Sequence, residues 1–348
     1  TGPGGNIFST LNNNRYGSMS GTSMAAPNVS GATALILQGL KAQGINLQGR
    51  DLVEFVKKSI VNTAKPLTEE NTYGDEVPYS PRRQGSGLIQ TKNAINNRVL
   101  AYGSNNEPTI SLKEIGETTE FEITLKNYSD EDKTYEVKSL GGVLTAFEPN
   151  MENQVITESM HFDTILEDAT LNFSTNNVTV PAKGETKVKA TLNVRKDSVT
   201  NNFVEGFISF ESKDNKVPSL VVPYMGYYGD WSEETIIDGA IWEPNTVNMV
   251  GSFAASKLNG EYNYLGFMGK DNKGSDPDKI AISPNGDEVF DSVIPALYLL
   301  RNAREVKVDL LDENKNLIKH TKVIFVFLLK NLYQINQKFF KNHKINNK

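Results

Sequence analysis

The sequence predicts an α/β segment over residues 1–98, followed by two all-β sandwich regions, the second of them truncated. Two helical patterns follow each other in the first segment, with no alternating strand between them. From about residue 101 onward, short runs of alternating apolar and polar residues dominate. Turn-forming residues separate these runs at short intervals, which is typical of an antiparallel β-sandwich.

The first segment contains one predicted strand and two predicted helices. The strand covers residues 7–10, after a Gly-Pro-Gly-Gly turn. The first helix covers residues 23–43, is rich in Ala and Gly, and ends at Gly44. The second helix covers residues 50–64 and has an apolar face formed by Leu52, Val53, Val56 and Ile60.

The β region shows the two-residue period of half-buried strands. One such strand contains Phe121, Ile123 and Leu125, and another contains Val188, Ala190, Leu192 and Val194. Residues 203–210 and 220–224 flank a Lys-Asp-Asn-Lys turn at 213–216, which predicts a hairpin. A second β region follows residue 229 and includes alternating Val306, Val308 and Leu310 before a turn at 312–316.

The composition is that of a folded acidic protein without cysteine chemistry. The 348 residues carry a net charge of −6, and 38% of them are apolar. An acidic chain lacks the basic face that nucleic acid requires, so we expect no nucleic-acid partner. The absence of Cys excludes disulfides, thiolate catalysis and cysteine-bound zinc. No apolar run reaches roughly 18 residues, so we expect no membrane span.

The two ends of the sequence are unusual. The chain begins at Thr1 with neither Met nor a signal peptide, so we expect a processed product or a piece of a longer protein. Residues 321–348 contain no Asp or Glu and are rich in Lys, Asn, Ile and Phe. One interpretation is a basic, partly amphipathic tail. We favour out-of-frame translation after a frameshift near His320, which resequencing of the gene would test.

The segment Gly-Thr-Ser-Met-Ala-Ala-Pro at residues 21–27 has the features of a nucleophile turn. A nucleophilic serine works best at a tight turn into a helix, where its hydroxyl is exposed and its backbone N–H faces a developing oxyanion. Gly21 allows the close turn, and Pro27 is expected in the first helical turn, where a missing N–H costs nothing. The alternative is a buried helix of small residues that Ser23 merely caps.

Three short motifs resemble the subtilase family of serine proteases in order and spacing. They are Gly-Pro-Gly-Gly-Asn-Ile at 2–7, Ser-Thr at 9–10 and Met-Ser-Gly-Thr-Ser-Met-Ala-Ala-Pro at 19–27. The resemblance implies that Ser23 is the nucleophile and that its backbone N–H forms part of the oxyanion hole. Gly2 departs from the family, which usually has Ala there. The supporting motif residues on this resemblance are Gly21, Thr22, Met24, Ala25 and Pro27.

A longer resemblance extends to the cell-envelope proteases of Gram-positive bacteria, the lactocepin and C5a-peptidase group. Residues 80–88 look like the end of their catalytic domain. Residues 203–207 and 223–230 look like the fibronectin-III-like domain that follows it, and residues 283–287 and 300–303 look like the next such domain. The fold implied is the C-terminal part of a subtilisin-like catalytic domain followed by fibronectin-III-like sandwiches.

This resemblance covers the chain as far as Lys319 and sets the domain limits. The sequence departs from the group at Glu288, where Gly is common. The predicted parts are a partial catalytic domain at 1–98, a sandwich at 99–228, an incomplete second sandwich at 229–320 and an anomalous basic tail at 321–348.

The resemblance also implies what this chain lacks. In subtilases the catalytic Asp and His, and the Asn side chain of the oxyanion hole, precede the serine. Residues 1–22 contain no Asp, Glu or His, and Asn6 is too close to Ser23 in sequence to be that Asn. We therefore predict that the isolated chain is inactive and that its partner is the missing N-terminal part of the catalytic domain. The chain has three histidines, which we interpret as surface or turn residues outside any catalytic triad: His161, His320 and His343.

Two groups of oxygen-bearing side chains suit a hard cation such as calcium. Neither group has EF-hand spacing, so we favour solvated turns and predict no cofactor. Calcium remains the alternative that the family suggests. The residues concerned are Asp271, Asp276 and Asp278 in one group and Asn285, Asp287 and Asp291 in the other.

Two further sets of side chains have structural and functional interpretations. Trp231, Trp242, Tyr227 and Tyr228 mark either a binding surface or core and domain-interface packing, and we favour packing. Residues 82 and 83, both Arg, are expected to be a solvated or salt-bridged pair near the domain boundary.

Two functional hypotheses remain from the sequence. The first is a partial serine endopeptidase that acts on proteins or peptides outside the cell or on the cell wall. The second is a non-catalytic cell-surface spacer or adhesion module beside a dead protease remnant, because sandwich folds of this type serve both roles.

Overall fold

The computed structural model contains two compact units, Thr1–Trp231 and Ser232–Lys348. Among the residues it describes, no helix is both long and apolar enough to cross a membrane. The described residues are 1–70, 76–146, 163–198, 201–214, 216–233, 235–243, 246, 251–258, 261–266, 276–301, 303 and 305–323.

The first unit begins with a β-hairpin and two helices. Strand β1, Ile7–Leu11, pairs antiparallel with β2, Arg15–Met19, a strand that the sequence analysis did not predict. Helices α1, Thr22–Ala42, and α2, Gly49–Asn62, lie within two residues of their predicted limits. The short elements that follow are β3 Thr68–Glu70, β4 Glu76–Pro78, α3 Pro81–Gln84 and α4 Thr91–Asn96.

Pro27 lies in the second turn of α1, and the expectation that it lies in the first turn was wrong. The helix begins at Thr22, which makes Pro27 its sixth residue. Because proline has no N–H, the carbonyl of Ser23, four residues earlier, receives no helical hydrogen bond from it. Ser23 is exposed, so this carbonyl lies where water can reach it.

Helix α2 buries most of its predicted face, since Leu52 and Ile60 pack against the core, and further buried positions extend that face. Val56 is buried as expected, but Val53 is 67% exposed, so its predicted place on the buried face was wrong. The further buried positions include Phe55, Ser59 and Asn62. Residues two apart on an α-helix lie about 200° apart around its axis, so Phe55 and Val53 point in nearly opposite directions.

Helices and sandwich share one apolar core. Ile36 and Leu40 of α1 pack with Phe55 and Val56 of α2 and with Leu100 on the first sandwich strand. All five side chains are at most 5% exposed. Burial of this kind stabilises the contact through the removal of apolar surface from water.

Asn62 joins the helical segment to both sheets of the sandwich. Its Nδ2 donates to the carbonyls of Ala101, at 2.9 Å, and Val221, at 3.2 Å, and its Oδ1 accepts from the Ala101 N–H at 2.9 Å. The side chain is fully buried, and buried polar groups need such partners. The predicted limit between residues 98 and 99 lies inside this unit, and as a domain limit it stays a prediction.

The sandwich consists of two sheets. The smaller has the strand order β10-β12-β7-β5, and the larger has the order β11-β8-β13-β14-β6 with β9 paired to β8. The predicted alternation is confirmed, since Ile123 lies opposite Val188 and both are fully buried. The strands are β5 Val99–Gly103, β6 Ile110–Ile115, β7 Thr118–Asn127, β8 Lys133–Ala146, β9 Asp163–Ile165, β10 Ala169–Phe173, β11 Asn177–Val180, β12 Glu185–Val194, β13 Asn202–Ser212 and β14 Leu220–Tyr228.

One strand pair departs from the predicted antiparallel arrangement. Strands β6 and β14 pair in parallel, with Tyr224 opposite Ile110. The two strands are far apart in sequence, so no hairpin fixes their relative direction. The predicted hairpin is confirmed, because β13 and β14 pair antiparallel. In its connection the Asp214 carboxylate accepts the N–H of Lys216 at 2.9 Å.

The second unit is also built from strands. A three-stranded sheet has the order β16-β15-β17, and a separate hairpin consists of β18 and β19. The predicted turn is observed here, since the Asp312 N–H donates to the Asn316 carbonyl at 2.8 Å. Residues 324–348 of the predicted tail lie outside the described residues. The strands are β15 Phe253–Leu258, β16 Glu261–Tyr264, β17 Ile294–Ala296, β18 Val306–Leu311 and β19 Leu317–Val323.

Candidate active site

Ser23 is the second residue of α1 and is exposed to solvent. Gly21, immediately before the helix, has a φ of 153°, a conformation that favours glycine. The Gly21 carbonyl accepts the N–H groups of Met24 at 3.1 Å and Ala25 at 3.2 Å. Among the described residues no acceptor is recorded for the Ser23 N–H, which leaves it available to an external oxygen. The positive end of the helix favours negative charge at this place.

The segment at residues 2–6 holds the serine turn. The Gly21 N–H donates to the Gly4 carbonyl at 2.8 Å, and the Asn6 N–H donates to Ser20 Oγ at 2.8 Å. The Asn28 Nδ2 of α1 donates to the Pro3 carbonyl at 2.9 Å. The sequence motif at 2–7 and the motif at 19–27 are therefore brought together by direct hydrogen bonds.

The supporting motif residues have different surroundings. Thr22 and Pro27 are exposed, whereas Met24 and Ala25 are half-buried. Ala25 lies against the N-terminal segment, because a Cβ built on Gly4 would be 2.9 Å from the Ala25 Cβ. The small residues Gly4 and Ala25 allow the N-terminal segment and α1 to lie in close contact.

No acid or base accompanies Ser23 in the described part of the first unit that precedes α2. Residues 1–50 contain no Asp, Glu or His, and the first acidic residue, Asp51, is on α2. His320 lies in β19 of the second unit. His161 and His343 lie outside the described residues. A base for Ser23 therefore has to come from a part of the protein other than residues 1–50.

Large apolar side chains near the serine turn are exposed. On the hairpin, Phe8 is 70% exposed and Tyr16 64% exposed, and their rings stack at 5.9 Å. Met19, the last residue of the hairpin, is 50% exposed. Exposed large apolar side chains of this kind are typical of a face that another part of a protein covers.

Arg82 and Arg83 are salt-bridged, one of the two predicted alternatives, and their partners are the buried carboxylates of Glu205 and Asp163. Arg82 donates from Nε and Nη2 to the Glu205 carboxylate over 2.7–3.0 Å. Arg83 lies 3.3 Å from Asp163, and the Ser80 hydroxyl donates to Glu205 at 2.7 Å. Glu205 is fully buried and Asp163 is 4% exposed.

The sequence analysis missed Glu205 and Asp163 as partners of the two arginines. Glu205 follows Phe203-Val204 in a run whose neighbours on β13 are almost all buried. A single carboxylate inside such a strand is a signal for a paired charge, because an unpaired buried charge is very costly. The signal identifies the carboxylate but not its partner, which lies 123 residues away in sequence.

The aspartate groups form turns in the described part of the second unit. The Asp291 carboxylate accepts the N–H groups of Asn285, Gly286 and Glu288. These bonds, led by that from Gly286, lower the pKa of Asp291. Asp276 accepts the N–H of Asp278, and Asp271 lies outside the described residues. Among the described residues, no three acidic or histidine side chains converge as metal ligands would.

The aromatic residues near the end of the first unit pack against one another. Tyr227 is buried, and its ring meets the Trp231 ring edge-on at 4.6 Å and the Phe203 ring at 5.6 Å. The Arg82 guanidinium lies 4.5 Å from the centre of the Phe203 ring. Trp231 is 39% exposed, so packing accounts for most of its surface. Trp242 in the second unit is 37% exposed.

Comparison with known proteins gives two family matches. A family model described as "Subtilase family" matches residues 3–87, and one described as "Fn3-like domain" matches residues 110–225. The first match contains Ser23 and residues 3–6 of the segment that holds its turn. The second contains Glu205.

Individual relatives agree with these matches. The chain is 35% identical over 338 residues to a PIII-type proteinase of Lactococcus lactis subsp. cremoris (strain SK11), an alignment that covers 91% of this chain and 17% of that protein. It is 24% identical over 249 residues to a C5a peptidase of Streptococcus pyogenes serotype M3, covering 69% of this chain and 20% of the relative. The chain therefore spans about a sixth to a fifth of the length of these relatives.

Solved structures add only a general likeness. The PapD-like domain 7 of human CEP192 aligns with 38% of this chain and 85% of its own, at 16% identity and a TM-score of 0.26. A likeness of that size carries no conclusion about activity.

Proposed function

We propose that this chain, whose residues 3–87 match the subtilase family, carries the nucleophile, Ser23, of a serine endopeptidase that cleaves peptide bonds through an acyl-enzyme. The observation that carries the proposal is the exposed position of Ser23 as the second residue of α1, two residues after Gly21 with its φ of 153°. This geometry leaves both the hydroxyl and the backbone N–H accessible to a substrate carbonyl.

In the proposed reaction the Ser23 Oγ attacks the carbonyl carbon of the scissile peptide, and its proton passes to a base. The negative oxygen of the tetrahedral intermediate accepts a hydrogen bond from the Ser23 N–H. The C–N bond then breaks, the amine leaves with the proton, and water releases the acyl group by the reverse sequence. The N-terminal end of α1 stabilises the oxyanion, and no acidic residue in the first helical turn opposes that effect.

The base has to come from outside residues 1–22, which contain no Asp, Glu or His, and Asn6 is too close to Ser23 in sequence to be the side-chain oxyanion donor. We therefore propose that the isolated chain is inactive. The catalytic part that supplies Asp, His and Asn is its partner, and it covers the exposed surface formed by Phe8, Tyr16 and Met19. A serine without its base retains only a small residual rate.

We propose proteins or peptides as substrates and a location outside the cell or in the cell envelope. The support is the similarity to bacterial proteinases and C5a peptidases. The alternative of a non-catalytic spacer or adhesion module is not favoured, since the motif around Ser23 is intact.

The proposal can be tested with a chimera in which the upstream catalytic segment of the lactococcal PIII-type proteinase is joined to Thr1 of this chain. A fluorophosphonate probe should label the chimera strongly and the isolated chain weakly. Ser23→Ala should abolish labelling. Ser30→Ala, an exposed serine on the same helix that donates to the Ala26 carbonyl, should leave it unchanged.

Two results would overturn the proposal. One is labelling of the chimera that persists in Ser23→Ala, because the nucleophile would then be another residue. The other is a folded chimera, with the upstream segment intact, that the probe fails to label at all.

A further inference from the structure

A series of hydrogen bonds and short stretches of backbone connects the ion pair between Arg82 and the buried Glu205 with the serine turn. It begins in the sandwich, where Glu205 on β13 and Asp163 on β9 face the start of α3. Ser80 contributes both its N–H, at 2.7 Å from the Asp163 Oδ2, and its hydroxyl, at 2.7 Å from the Glu205 Oε1. Arg82 completes the contact with its two-pronged guanidinium, a geometry that lysine cannot reproduce.

Gln84 connects α3 with the chain on either side of it. Its Oε1 accepts the Leu67 N–H at 2.8 Å, and its Nε2 donates to the carbonyls of Leu67, at 3.1 Å, and Tyr79, at 2.6 Å. The Gly87 N–H donates back to the Gln84 carbonyl at 3.2 Å. Gln84 is 7% exposed, so these bonds form in a place that water scarcely reaches.

The next step leads from α3 to the first residues of the chain. The amino group of Thr1 donates to the Gly87 carbonyl at 2.6 Å, and the Ile89 N–H donates to the Thr1 carbonyl at 3.0 Å. A Cβ on Gly87 would lie 2.2 Å from the Lys65 carbonyl oxygen, so only glycine fits. Residues 3 and 4 then hold Asn28 and Gly21, as described above.

We infer that Arg82 and Glu205 are positioning residues for Ser23, so that the sandwich orients the nucleophile of the catalytic segment. This inference rests on the proposed function of Ser23. Neither residue touches a substrate in this scheme, and both act through Ser80, Gln84 and the N-terminal segment. Displacement of a reacting group by about 1 Å costs on the order of a hundredfold in rate, so a small shift of the turn has a measurable effect.

The first test uses this chain alone and needs no enzymatic activity. In Glu205→Gln, hydrogen exchange of the Gly21 amide should accelerate about tenfold, because the carbonyl of Gly4 that holds it is less firmly placed. The amide of Ile123 in the sandwich core should keep its wild-type rate. Glu211→Gln, an exposed residue on β13 that pairs with Lys138, is the matched control and should change neither amide.

A second variant guards against simple misfolding. Loss of Arg82 alone leaves the buried Glu205 without its charged partner, whereas replacement of both residues by apolar ones is often neutral for stability. The double variant Arg82→Met/Glu205→Leu should therefore stay folded and still accelerate exchange at Gly21. Equal acceleration at Gly21 and Ile123, or none at Gly21 in either variant, would overturn the inference.

The second test uses the active chimera. Glu205→Gln should lower kcat about tenfold and leave KM within about twofold, since the substrate contacts are unchanged and only the nucleophile is misplaced. The kcat of Arg82→Lys should lie between that of the wild-type chimera and that of Glu205→Gln. An increase of about tenfold in KM with an unchanged kcat would contradict a positioning role. If the wild-type chimera folds but is never labelled at Ser23, the proposed function is contradicted. The hydrogen-exchange test in this chain alone still decides whether Glu205 affects the serine turn.

Discussion

The backbone N–H of Gly21 donates to the carbonyl of Gly4 over 2.8 Å, and the contact leaves no room for a side chain at Gly4. A Cβ on Gly4 would lie 2.7 Å from the Gly21 oxygen and 2.9 Å from the Ala25 Cβ. The contact fixes the turn that precedes Ser23. It also explains why a glycine-rich segment accompanies the serine motif in the sequence.

Gly4→Ala should therefore displace the serine turn. The new methyl group meets a backbone oxygen that cannot move independently, so we expect a loss of about 1–3 kcal/mol in the free energy of unfolding of the first unit. Urea denaturation followed by fluorescence measures it. Gly5→Ala is a close control, because a Cβ there meets nothing within 4 Å. Equal stability of the two variants would contradict the expectation.

Asn62→Ala should destabilise the first unit more than any exposed Asn→Ala change. The substitution leaves the Ala101 N–H and the carbonyls of Ala101 and Val221 without their partner in a fully buried place. We expect a loss of about 3 kcal/mol, measured by urea denaturation. Asn93→Ala, on the exposed face of α4, should change stability by less than about 0.5 kcal/mol. Similar losses in both variants would mean that the Asn62 bonds do not join helix and sheets.

Tyr135 should make the sandwich sensitive to alkali. Its side chain is fully buried, no hydrogen-bond partner for its hydroxyl is found among the described residues, and burial raises its pKa above the ordinary value of 10.0. The stabilising effect of the protonated form is complete below pH 10.0 and is lost as pH rises towards the folded-state pKa, because the unfolded chain loses its proton first.

Tyr135→Phe should reduce this alkaline loss and leave the share contributed by Tyr224, whose pKa burial also raises. It should change stability at neutral pH by less than about 1 kcal/mol, since the hydroxyl it removes has no partner among the described residues. Thermal unfolding between pH 7 and about pH 11 measures the difference. Tyr16→Phe, at a position that is 64% exposed, should retain the wild-type pH dependence. A Tyr135→Phe variant with an unchanged alkaline slope would contradict the assignment.

Asp291 should organise the loop at residues 283–291. Its carboxylate accepts three backbone N–H groups over 2.7–2.9 Å, which lower its pKa below the ordinary value of 3.8. The loop is stabilised above that value and loosens as pH falls through the lower, folded-state pKa. In NMR spectra the Gly286 amide should titrate with a midpoint below 3.8. Asp291→Ala should abolish the titration, and Asp278→Ala should preserve it.

Much of the fold follows from local patterns in the sequence. The two helices of the first segment and the alternating strands around Ile123 and Val188 lie where periodicity predicts them. These elements depend on which side chains face a core, and that dependence repeats every 3.6 or 2 residues. The errors at Val53 and Pro27 concern the rotation of a helix and its first residue, which periodicity defines only to within a turn.

The long-range contacts of the site were beyond the reach of the sequence. The pairing of Arg82 with Glu205 joins residues 123 positions apart, and the parallel pairing of β6 with β14 joins the first and last strands of the larger sheet. Nothing local selects such partners, because many carboxylates and strands have the same intrinsic properties.

The sequence by itself determined the chemistry: a serine after Gly21 at the start of a small-residue helix, and no acid or base in the residues before it. It also determined the succession of a helical segment and a β-sandwich. Only the tertiary structure decided that Gly4 holds Gly21, that Gln84 and Thr1 connect this turn with α3, and that a buried Glu205 joins α3 to the sandwich. The physical reason is that hydrogen-bonding capacity belongs to each residue, whereas the choice of partner depends on which groups folding brings together away from water.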